Sequence, residues 1–336
     1  MPTAPPSLGG ASKLPRVKFA IPKGSLWNST KQILIEAFHE FRGDERTYRP
    51  TINDPDIELK ILRPQEIPLY VEAGYYDVGI TGLDWLKETK ADVSILTNLE
   101  YGHVKIVAAA PSSSPYNTLD EMLRDYIRSK GRIIISTEYL NIASEYVASL
   151  PSYKMLCKDN PTIITPWWTK KGDDKVRIYL SFGATEAKPP EEADAIIDVS
   201  VTGDTLMRNG LKPLDVIIES SAILIANKES LKSNRKEKIL DIATLLRGVV
   251  ESRKKLHIFV NVKEQNLGRL ISLLPALKGP TVSRLSKRGW YAVNTVIDRD
   301  VFLKILPDIR RLAQGLVVHN PKMILLLEEA GDYENC

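Results

Sequence analysis

The segment 183–211 places acidic residues, hydroxyl residues and a glycine in an order that suits an anion-binding site. A short apolar strand, AIIDV, contains Asp198 and follows directly after Asp194, and a turn with Thr202 and Gly203 comes next. A helix is expected to begin after this turn, and its N-terminal N–H groups and positive dipole end attract anions. Glycine also lets the backbone approach a ligand closely. The segment therefore predicts a phosphate-binding turn.

The two aspartates lie four residues apart, so a strand places both side chains on one face. Carboxylates at a strand end can hold ribose hydroxyls or a hydrated Mg²⁺ ion. The alternative is an ordinary strand-turn-helix unit in which Thr202 only caps the helix. The acidic strand before the turn favours the binding interpretation.

The elements around this segment alternate between strand and helix from residue 17 onward, which is typical of an α/β fold with mainly parallel sheets. An amphipathic helix is predicted over Lys228–Glu251. Beyond residue 254 the predicted order becomes roughly β-α-β-β-α-β, which is a ferredoxin-like arrangement, with its last strands suggested at Gly315–Val318 and Met323–Leu327. The sequence therefore predicts an α/β core followed by a small α+β domain.

The segment 151–176 contains three prolines, the pair Trp167-Trp168 and a charged turn. These features predict an irregular surface insertion. The two tryptophans either cap a pocket or anchor the insertion to its domain.

The composition is that of a globular protein, with 43% hydrophobic and 26% charged residues. A net charge of +4 suits small anionic substrates and does not indicate nucleic-acid binding. No apolar stretch is long enough to span a membrane. Residues 1–14 are rich in Pro, Gly and Ser and predict a disordered tail.

The sequence provides little for metal, redox or nucleophilic chemistry. Its two cysteines, Cys157 and Cys336, match no metal or redox spacing, and so few cysteines suit a reducing cytoplasm. The four histidines are scattered and are interpreted as structural. A mechanism based on a nucleophile and a base is therefore not supported.

Five segments together resemble one family. AIPKGSL, LRPQEIPLYVEAGYYDVGITGLDWLKE, STEYLNIASEY, ADAIIDVSVTGDTL and LLPALKGPTVSRLSKRGWYAV are similar, in this order, to segments of the ATP phosphoribosyltransferases. The last segment resembles the start of the regulatory domain that only the long form of the family has. The resemblance extends from about residue 17 to 330.

The resemblance implies a bilobed catalytic core like the periplasmic binding proteins, known as the type IV phosphoribosyltransferase fold, and an ACT-like C-terminal domain. Residues 15–111 and 217–250 would form lobe one, and residues 112–216 would form lobe two. Residues 251–336 would form the regulatory domain.

The resemblance also implies an activity. The enzyme would join phosphoribosyl pyrophosphate to N1 of ATP with release of pyrophosphate, the first step of histidine biosynthesis, with Mg²⁺ as cofactor bound mainly through substrate phosphates. Histidine would act as feedback inhibitor. The implied protein is a cytoplasmic homo-oligomer, from dimer to hexamer, without nucleic-acid or membrane partners.

Site residues follow from matching positions. The implied phosphoribosyl pyrophosphate site comprises Glu138, Asp194, Asp198, Val201, Thr202, Gly203, Asp204 and Thr205. The implied ATP site comprises Lys23, Gly24, Arg63, Thr81, Gly82 and Asp84. Lys23, Arg63 and Asp198 would be the catalytic residues, and Thr281 and Ser283 would bind histidine. Many relatives have Arg where this chain has Ser25, so no phosphate contact is expected there.

Three other classes of protein are weighed against this one. A solute-binding protein of the same bilobed fold has no need of the TGDT turn. An effector-binding regulator should contain a helix-turn-helix with a basic face, and no segment offers one. A phosphoribosyltransferase of the commoner fold should have its acidic pair directly before the turn, whereas three residues separate Asp198 from Thr202.

Overall fold

The structure is a computed structural model that describes residues 16–38, 40–274, 279–325 and 327. The predicted tail, His39 and Cys336 lie outside the described residues. The backbone forms two compact units: one contains residues up to 30, 44–50 and 56–235, and the other contains 31–43, 51–55 and residues from 236 onward.

Lobe one is built on a sheet of five strands, counted over the described residues, in the order β4-β1-β5-β14-β6, in which β14 is Ala222–Ala226. Strands β1, β4 and β5 are parallel. The inner strands β1 and β5 are largely apolar and buried, whereas the edge strand β4 alternates between buried and half-buried residues. The elements up to the first crossing are β1 (Val17–Pro22), α1 (Trp27–Phe38), β2 (Phe41–Arg42), β3 (Thr51–Ile52), β4 (Ile57–Leu62), α2 (Ile67–Glu72), β5 (Val78–Gly82), α3 (Leu83–Thr89) and β6 (Ser94–Asn98).

Lobe two has a sheet of seven strands within the described part of the chain, in the order β10-β9-β11-β8-β12-β7-β13. Its core packs α4 and α5 against the sheet through residues such as Leu119, Met122, Ile135 and Ile178. The elements are β7 (Val104–Pro111), α4 (Leu119–Lys130), β8 (Ile133–Thr137), α5 (Leu140–Ser149), α6 (Pro151–Leu156), β9 (Pro161–Ile164), β10 (Thr169–Lys170), β11 (Asp173–Leu180), β12 (Ala195–Ser200), α7 (Asp204–Arg208) and β13 (Leu211–Ser220).

The chain crosses between the lobes twice, first between β6 and β7 and then at Ser221, before β14 (Ala222–Ala226) returns to lobe one. The backbone N–H of Ala222 donates to the carbonyl of Tyr101 at 2.8 Å, so the two crossings are paired. The lobe boundaries predicted after residues 111 and 216 differ from the sheets, since β7 and β13 lie wholly in the sheet of lobe two. The long antiparallel pairing of β7 with β13 on one side and with β12 on the other places both strands in this sheet.

The segment 151–176 is not the irregular insertion that its prolines suggested. Pro151 occupies the first turn of α6, where proline is tolerated, and Pro161 begins the buried strand β9. Strand β9 pairs in parallel with β11, and β10 pairs antiparallel with β9. Two of the three prolines mark the starts of regular elements, and Pro166 lies in the turn between β9 and β10, so this segment extends the sheet of lobe two.

The C-terminal domain confirms the predicted ferredoxin-like arrangement. Its four strands, counted over the described residues, pair in the order β16-β17-β15-β18, and α9 and α10 pack on one face through residues such as Leu270 and Ile309. The elements are α8 (Lys236–Lys254), β15 (Lys255–Lys263), α9 (Glu264–Leu273), β16 (Thr281–Arg284), β17 (Trp290–Asp298), α10 (Arg299–Leu312) and β18 (Ala313–His319).

Two predictions about this part of the chain were wrong in detail. The long helix begins at Lys236 instead of Lys228, after a short 3-10 turn at Ser230–Lys232. Residues 323–325 do not form a strand: the N–H of Ile324 donates to the carbonyl of Gly248 at 3.0 Å, so this backbone pairs with α8. A short apolar segment can pack against a helix or form a strand in a sheet, and its periodicity does not distinguish these two outcomes.

Candidate functional site

A cavity of about 420 Å³ lies between the two lobes. Loops that follow β1, β4 and β5 line it from lobe one, and residues after β8 and at the end of β12 line it from lobe two. In open α/β sheets the carboxyl ends of strands are the usual ligand-binding edge. The lining residues are Lys23, Gly24, Ser25, Leu26, Glu45, Arg63, Pro64, Gln65, Gly82, Asp84, Trp85, Gly102, Val104, Glu138, Tyr139 and Val199.

Two basic residues, Lys23 and Arg63, follow neighbouring parallel strands and therefore reach the cavity together. The N–H of Lys23 donates to the carbonyl of Leu62 at 2.9 Å, which joins the two loops at their base. Glu45 also lines the cavity and accepts from the N–H of Gly24 at 2.7 Å. This wall presents two cations and one carboxylate to the cavity.

Asp84 lies at the start of α3 and is buried. It accepts hydrogen bonds from the hydroxyl of Ser220 at 2.6 Å and from the hydroxyl of Tyr139 at 3.0 Å. Gly82 makes room for it, because a Cβ at this position would lie 2.1 Å from Oδ1 of Asp84. Thr81 is also buried and its hydroxyl donates to the carbonyl of Pro64 at 2.8 Å, so it supports the wall without lining the cavity.

Lobe two contributes carboxylates that affect one another. The pKa of Asp198 is raised to about 6, chiefly by burial and to a smaller extent by the nearby carboxylates of Glu138 and Glu186, against the lowering effect of the Val199 N–H and the Thr185 hydroxyl. Burial also raises the pKa of Glu138, partly offset by a hydrogen bond from the backbone of Gly183. These like charges lie close together and favour a cation between them.

The predicted phosphate turn continues from β12 and is exposed. Gly203 adopts a left-handed conformation with φ 83° directly before α7, which begins at Asp204 as predicted. The hydroxyl of Thr202 donates to the carboxylate of Asp204 at 2.9 Å. Val201 and Thr205 are exposed as well, and the turn begins two residues beyond Val199, which lines the cavity.

The structure does not bring Asp194 to this edge. Its carboxylate accepts from the N–H of Ile134 at 2.8 Å and lies 3.8 Å from Nζ of Lys130. Asp194 precedes β12, whereas Asp198 lies near its carboxyl end, roughly 13 Å farther along an extended strand. The spacing of Asp194 and Asp198 predicted that both side chains lie on one face of the strand. The distance along the strand nevertheless places the two carboxylates in different surroundings.

Sequence reasoning assigned no role to three residues that shape the site. Trp85 of lobe one stacks on Tyr139 of lobe two, with ring centroids 4.5 Å apart and planes inclined by 25°, and both rings line the cavity. Glu186 affects both carboxylates of lobe two. Glu186 is visible in the run GATEA, but nothing in the sequence shows that Trp85 and Tyr139 meet.

The exposed tryptophans lie in the turn between β9 and β10. Trp167 is 72% exposed and packs edge to face on Phe182, with ring centroids 5.5 Å apart. Thr165 holds the turn by accepting from the N–H groups of Trp167 and Trp168 at 3.3 and 3.1 Å. Neither tryptophan lines the cavity described above.

The arrangement defines a class of protein: a bilobed α/β protein of the periplasmic-binding-protein type, with cations on one wall of its cleft, carboxylates on the other, and an exposed glycine turn just beyond the second wall. Such a cleft can hold a polyanion together with a polyhydroxylated sugar. Within the described residues, no three side chains of His, Cys, Asp or Glu are grouped to hold a metal ion by themselves.

Comparisons with known proteins narrow this class. The family model for ATP phosphoribosyltransferase matches residues 63–248, and the model for the HisG C-terminal domain matches residues 252–320. ATP phosphoribosyltransferase of Solibacter usitatus is 36% identical over 317 residues, which cover 92% of this chain and 99% of that protein. The enzyme of the same name from Chlorobaculum parvum is 34% identical over 307 residues, 89% of this chain and 94% of that protein.

Among solved structures, the ATP phosphoribosyl transferase (HisG:HisZ) complex from Thermotoga maritima has a similar fold, with a TM-score of 0.54 and 24% identity. The match covers 70% of this chain and 98% of that one. The chain belongs to the ATP phosphoribosyltransferase family. It is an enzyme that transfers a phosphoribosyl group to ATP in the first step of histidine biosynthesis, which decides against the three other classes. None of the helices in the described residues is long and apolar enough to cross a membrane.

Proposed function

We propose that the transfer takes place in the cleft between the lobes, with phosphoribosyl pyrophosphate held by lobe two and ATP held against the loops of lobe one. The single observation that supports this assignment most strongly is the opposition of charge across the cavity. Lys23 and Arg63 line one wall, and Glu138 lines the other with Asp198 beside it.

The sugar diphosphate fits lobe two for two reasons. The turn that follows β12 has hydroxyl groups and a left-handed glycine, which suit the 5-phosphate. It comprises Val201, Thr202, Gly203, Asp204 and Thr205 and is largely exposed. Asp198 lies at the end of the preceding strand and is placed to accept from ribose hydroxyls. Glu138 lies near Asp198 and assists it in binding the ribose.

ATP fits lobe one because its triphosphate requires cations. Lys23 acts as a compact charge and Arg63 as a planar, bidentate donor. The Gly24 and Gly82 loops line the same wall, and Thr81 supports it from below. Asp84 accepts hydrogen bonds from Ser220 and Tyr139, so we assign it the role of holding the wall in place.

The reaction forms a bond between N1 of adenine and the anomeric carbon, while the bond from that carbon to the pyrophosphate oxygen breaks. Positive charge develops on the sugar ring and negative charge on the leaving group. Asp198 and Glu138 stabilise the sugar side, and Lys23 and Arg63 stabilise the departing pyrophosphate. The protein otherwise orients two bound substrates, a contribution that can be large.

Mg²⁺ suits this site. The ion takes one or two carboxylates and completes its shell with water and substrate phosphates. Burial first, and then the neighbouring carboxylates of Glu138 and Glu186, raise the pKa of Asp198, and a cation beside these carboxylates would relieve both effects. Glu138 and Asp198 would hold the ion, which would neutralise charge on the pyrophosphate.

The assignment is tested by kinetics on Asp198→Ala. We expect the KM for phosphoribosyl pyrophosphate to rise at least tenfold and the KM for ATP to change little, because the carboxylate faces only one substrate. Asp125→Ala, on the exposed side of α4, is the matched control in the same lobe. Equal changes in both KM values would contradict the assignment.

Histidine regulation is assigned to the sheet face of the C-terminal domain that is opposite α9 and α10. His257, Phe259 and His319 form an aromatic group there, with the Phe259 ring 4.5 Å from His257 and 5.5 Å from His319. Thr281 and Ser283 lie on the same face because they pair with Asn294 and Ala292 of β17. The face offers hydroxyl and aromatic groups to an imidazole, and we infer that histidine binds here as inhibitor.

The same face supports the expected homo-oligomer, from dimer to hexamer. Val317 is 54% exposed on it and lies opposite Phe259 across β15 and β18, so the face presents neighbouring apolar groups that suit contact with a second copy. Sedimentation with and without histidine would measure the state. A cytoplasmic location suits an enzyme that consumes ATP for biosynthesis.

A further inference from the structure

Helix α5 of lobe two begins at a residue that gives it no side-chain cap. A residue of lobe one supplies the cap instead. Oε1 of Glu88 accepts from the N–H of Asn141 at 2.9 Å, and Oε2 accepts from the N–H of Ile142 at 3.0 Å. In return, Nδ2 of Asn141 donates to the backbone carbonyl of Glu88 at 2.8 Å. Three hydrogen bonds therefore join α3 to the first turn of α5.

This contact continues toward the cavity. Glu88 lies one helical turn after Asp84 and Trp85 on α3, so these side chains share one side of the helix. Asp84 accepts from Tyr139, and Trp85 stacks on the ring of Tyr139. On the solvent side, Lys90 forms an ion pair with Glu145. We call the group formed by Asp84, Trp85, Glu88, Tyr139 and Asn141 the interlobe clamp.

Glu88 differs from an exposed helix cap in its surroundings. Burial raises the pKa of Glu88, and the N–H groups of Ile142, Asn141 and Leu140 lower it again. A buried carboxylate of this kind is stable only while its hydrogen bonds are made. Separating the lobes at α3 would leave both the carboxylate and the start of α5 without these partners, so the contact resists a change in lobe spacing.

We propose that Glu88 is a positioning residue that sets the width of the cleft and thereby the distance between the two reacting substrates. The inference rests on the proposed function, in which ATP and phosphoribosyl pyrophosphate bind to opposite lobes. Glu88 itself does not line the cavity. It acts through Tyr139 and Trp85, which do. Because the new bond joins atoms held by different lobes, a small error in lobe spacing slows the reaction strongly.

The first test is Glu88→Gln, which keeps the size of the side chain but replaces one accepting oxygen by a donor that opposes a backbone N–H. We expect kcat to fall about tenfold or more, as for small misplacements of reacting groups. The dissociation constant of phosphoribosyl pyrophosphate, measured by calorimetry without ATP, should stay within about twofold, since one lobe binds it. A general loss of structure would weaken both.

The matched control is Glu72→Gln. Oε1 of Glu72 also accepts a backbone N–H, from Asp92 at 2.8 Å, but within lobe one. Glu72→Gln should retain the kcat of the unsubstituted enzyme. If it loses as much kcat as Glu88→Gln, or if Glu88→Gln retains full kcat, the proposal is overturned.

Asn141→Ala tests the clamp from the other lobe and guards against misfolding of the first variant. It removes only the donor to the Glu88 carbonyl, so we expect a smaller loss of kcat. In the double variant the two losses should not add, because both disrupt one contact. Additive losses would overturn the proposal.

Kinetic and binding measurements distinguish failure of the proposed function from failure of the role of Glu88. If Asp198→Ala leaves binding of phosphoribosyl pyrophosphate unchanged, the proposed function itself fails. If Asp198→Ala abolishes that binding while Glu88→Gln has full kcat, only the role of Glu88 fails.

Discussion

The hydroxyl of Tyr139 in lobe two donates a hydrogen bond of 3.0 Å to the buried carboxylate of Asp84 in lobe one. The two residues are 55 positions apart in the chain, and both line the cleft. Burial and the Asp84 carboxylate both raise the pKa of Tyr139, so the phenol stays protonated and remains a donor. The hydrogen bond thus connects the stability of the molecule with the geometry of its site.

Tyr139→Phe removes this hydrogen bond but keeps the ring on Trp85. We expect the free energy of unfolding to fall by about 1–3 kcal/mol, because a buried carboxylate loses a partner. Urea denaturation measures the change. Tyr75→Phe is the control: Tyr75 is 65% exposed, and its change should stay within about 0.5 kcal/mol. Equal values for the two variants would contradict the assigned role of the hydrogen bond.

Gly82→Ala should destabilise the fold by roughly 1–3 kcal/mol, the usual cost of overpacking. The new Cβ would lie 2.1 Å from Oδ1 of Asp84 and would displace that carboxylate. Gly268→Ala in α9 meets nothing within 4 Å and should stabilise by about 0.5–1 kcal/mol. Thermal unfolding compares the two, and a neutral Gly82→Ala would show that Asp84 tolerates movement.

Asp198 makes stability depend on pH. Its pKa is about 6 in the folded chain, whereas the carboxyl of an aspartate ordinarily has a pKa of 3.8. Between these values the folded state binds more protons than the unfolded state, so stability falls as pH rises, and the ionised group is a cost above pH 6. Asp198→Asn should therefore stabilise the enzyme at pH 8 by up to about 3 kcal/mol.

The gain from Asp198→Asn should shrink as the pH is lowered from 6 to 4, because the unsubstituted carboxyl then becomes neutral in the folded state. Urea denaturation across pH 4–8 measures this trend. Asp125→Asn on the surface should show no such trend. A gain that does not vary with pH would mean that Asp198 is not perturbed by burial.

Thr202→Val should weaken the binding of phosphoribosyl pyrophosphate by about 1–3 kcal/mol, since a phosphate oxygen would lose its hydroxyl donor. The KM for ATP serves as the internal reference and should change little. The same hydroxyl donates to Asp204 in the structure, so it must reorient when the phosphate binds. Unchanged binding by calorimetry would remove the turn from the site.

Combined substitution by Thr281→Val and Ser283→Ala should raise the histidine concentration for half-maximal inhibition at least tenfold. The two hydroxyls lie on one sheet face and are the polar groups we assign to histidine. Inhibition curves provide the measurement, with each variant referred to its own rate without histidine. Inhibition at the same histidine concentration as in the unsubstituted enzyme would place the effector elsewhere.

Much of the fold follows from local sequence. Alternating strand and helix periods, the Thr-Gly turn before α7 and the change of pattern near residue 254 are all short-range properties, and the structure reproduces them. The predicted phosphate turn and the cations Lys23 and Arg63 were placed at strand ends from the same short-range pattern. The prolines of 151–176 led to the wrong prediction of an irregular insertion, because the sequence does not distinguish proline at the start of a helix or strand from proline in a loop.

The family and the order of the elements were thus determined by the sequence itself, since strand period, turn chemistry and motif order depend on residues that are close together in the chain. Tertiary structure alone decided that β7 and β13 join lobe two, that Asp194 lies away from the cleft, and that Glu88 caps a helix of the other lobe. Each of these depends on contacts between residues far apart in the chain. Such contacts are selected by the packing of whole sheets, which no local pattern specifies.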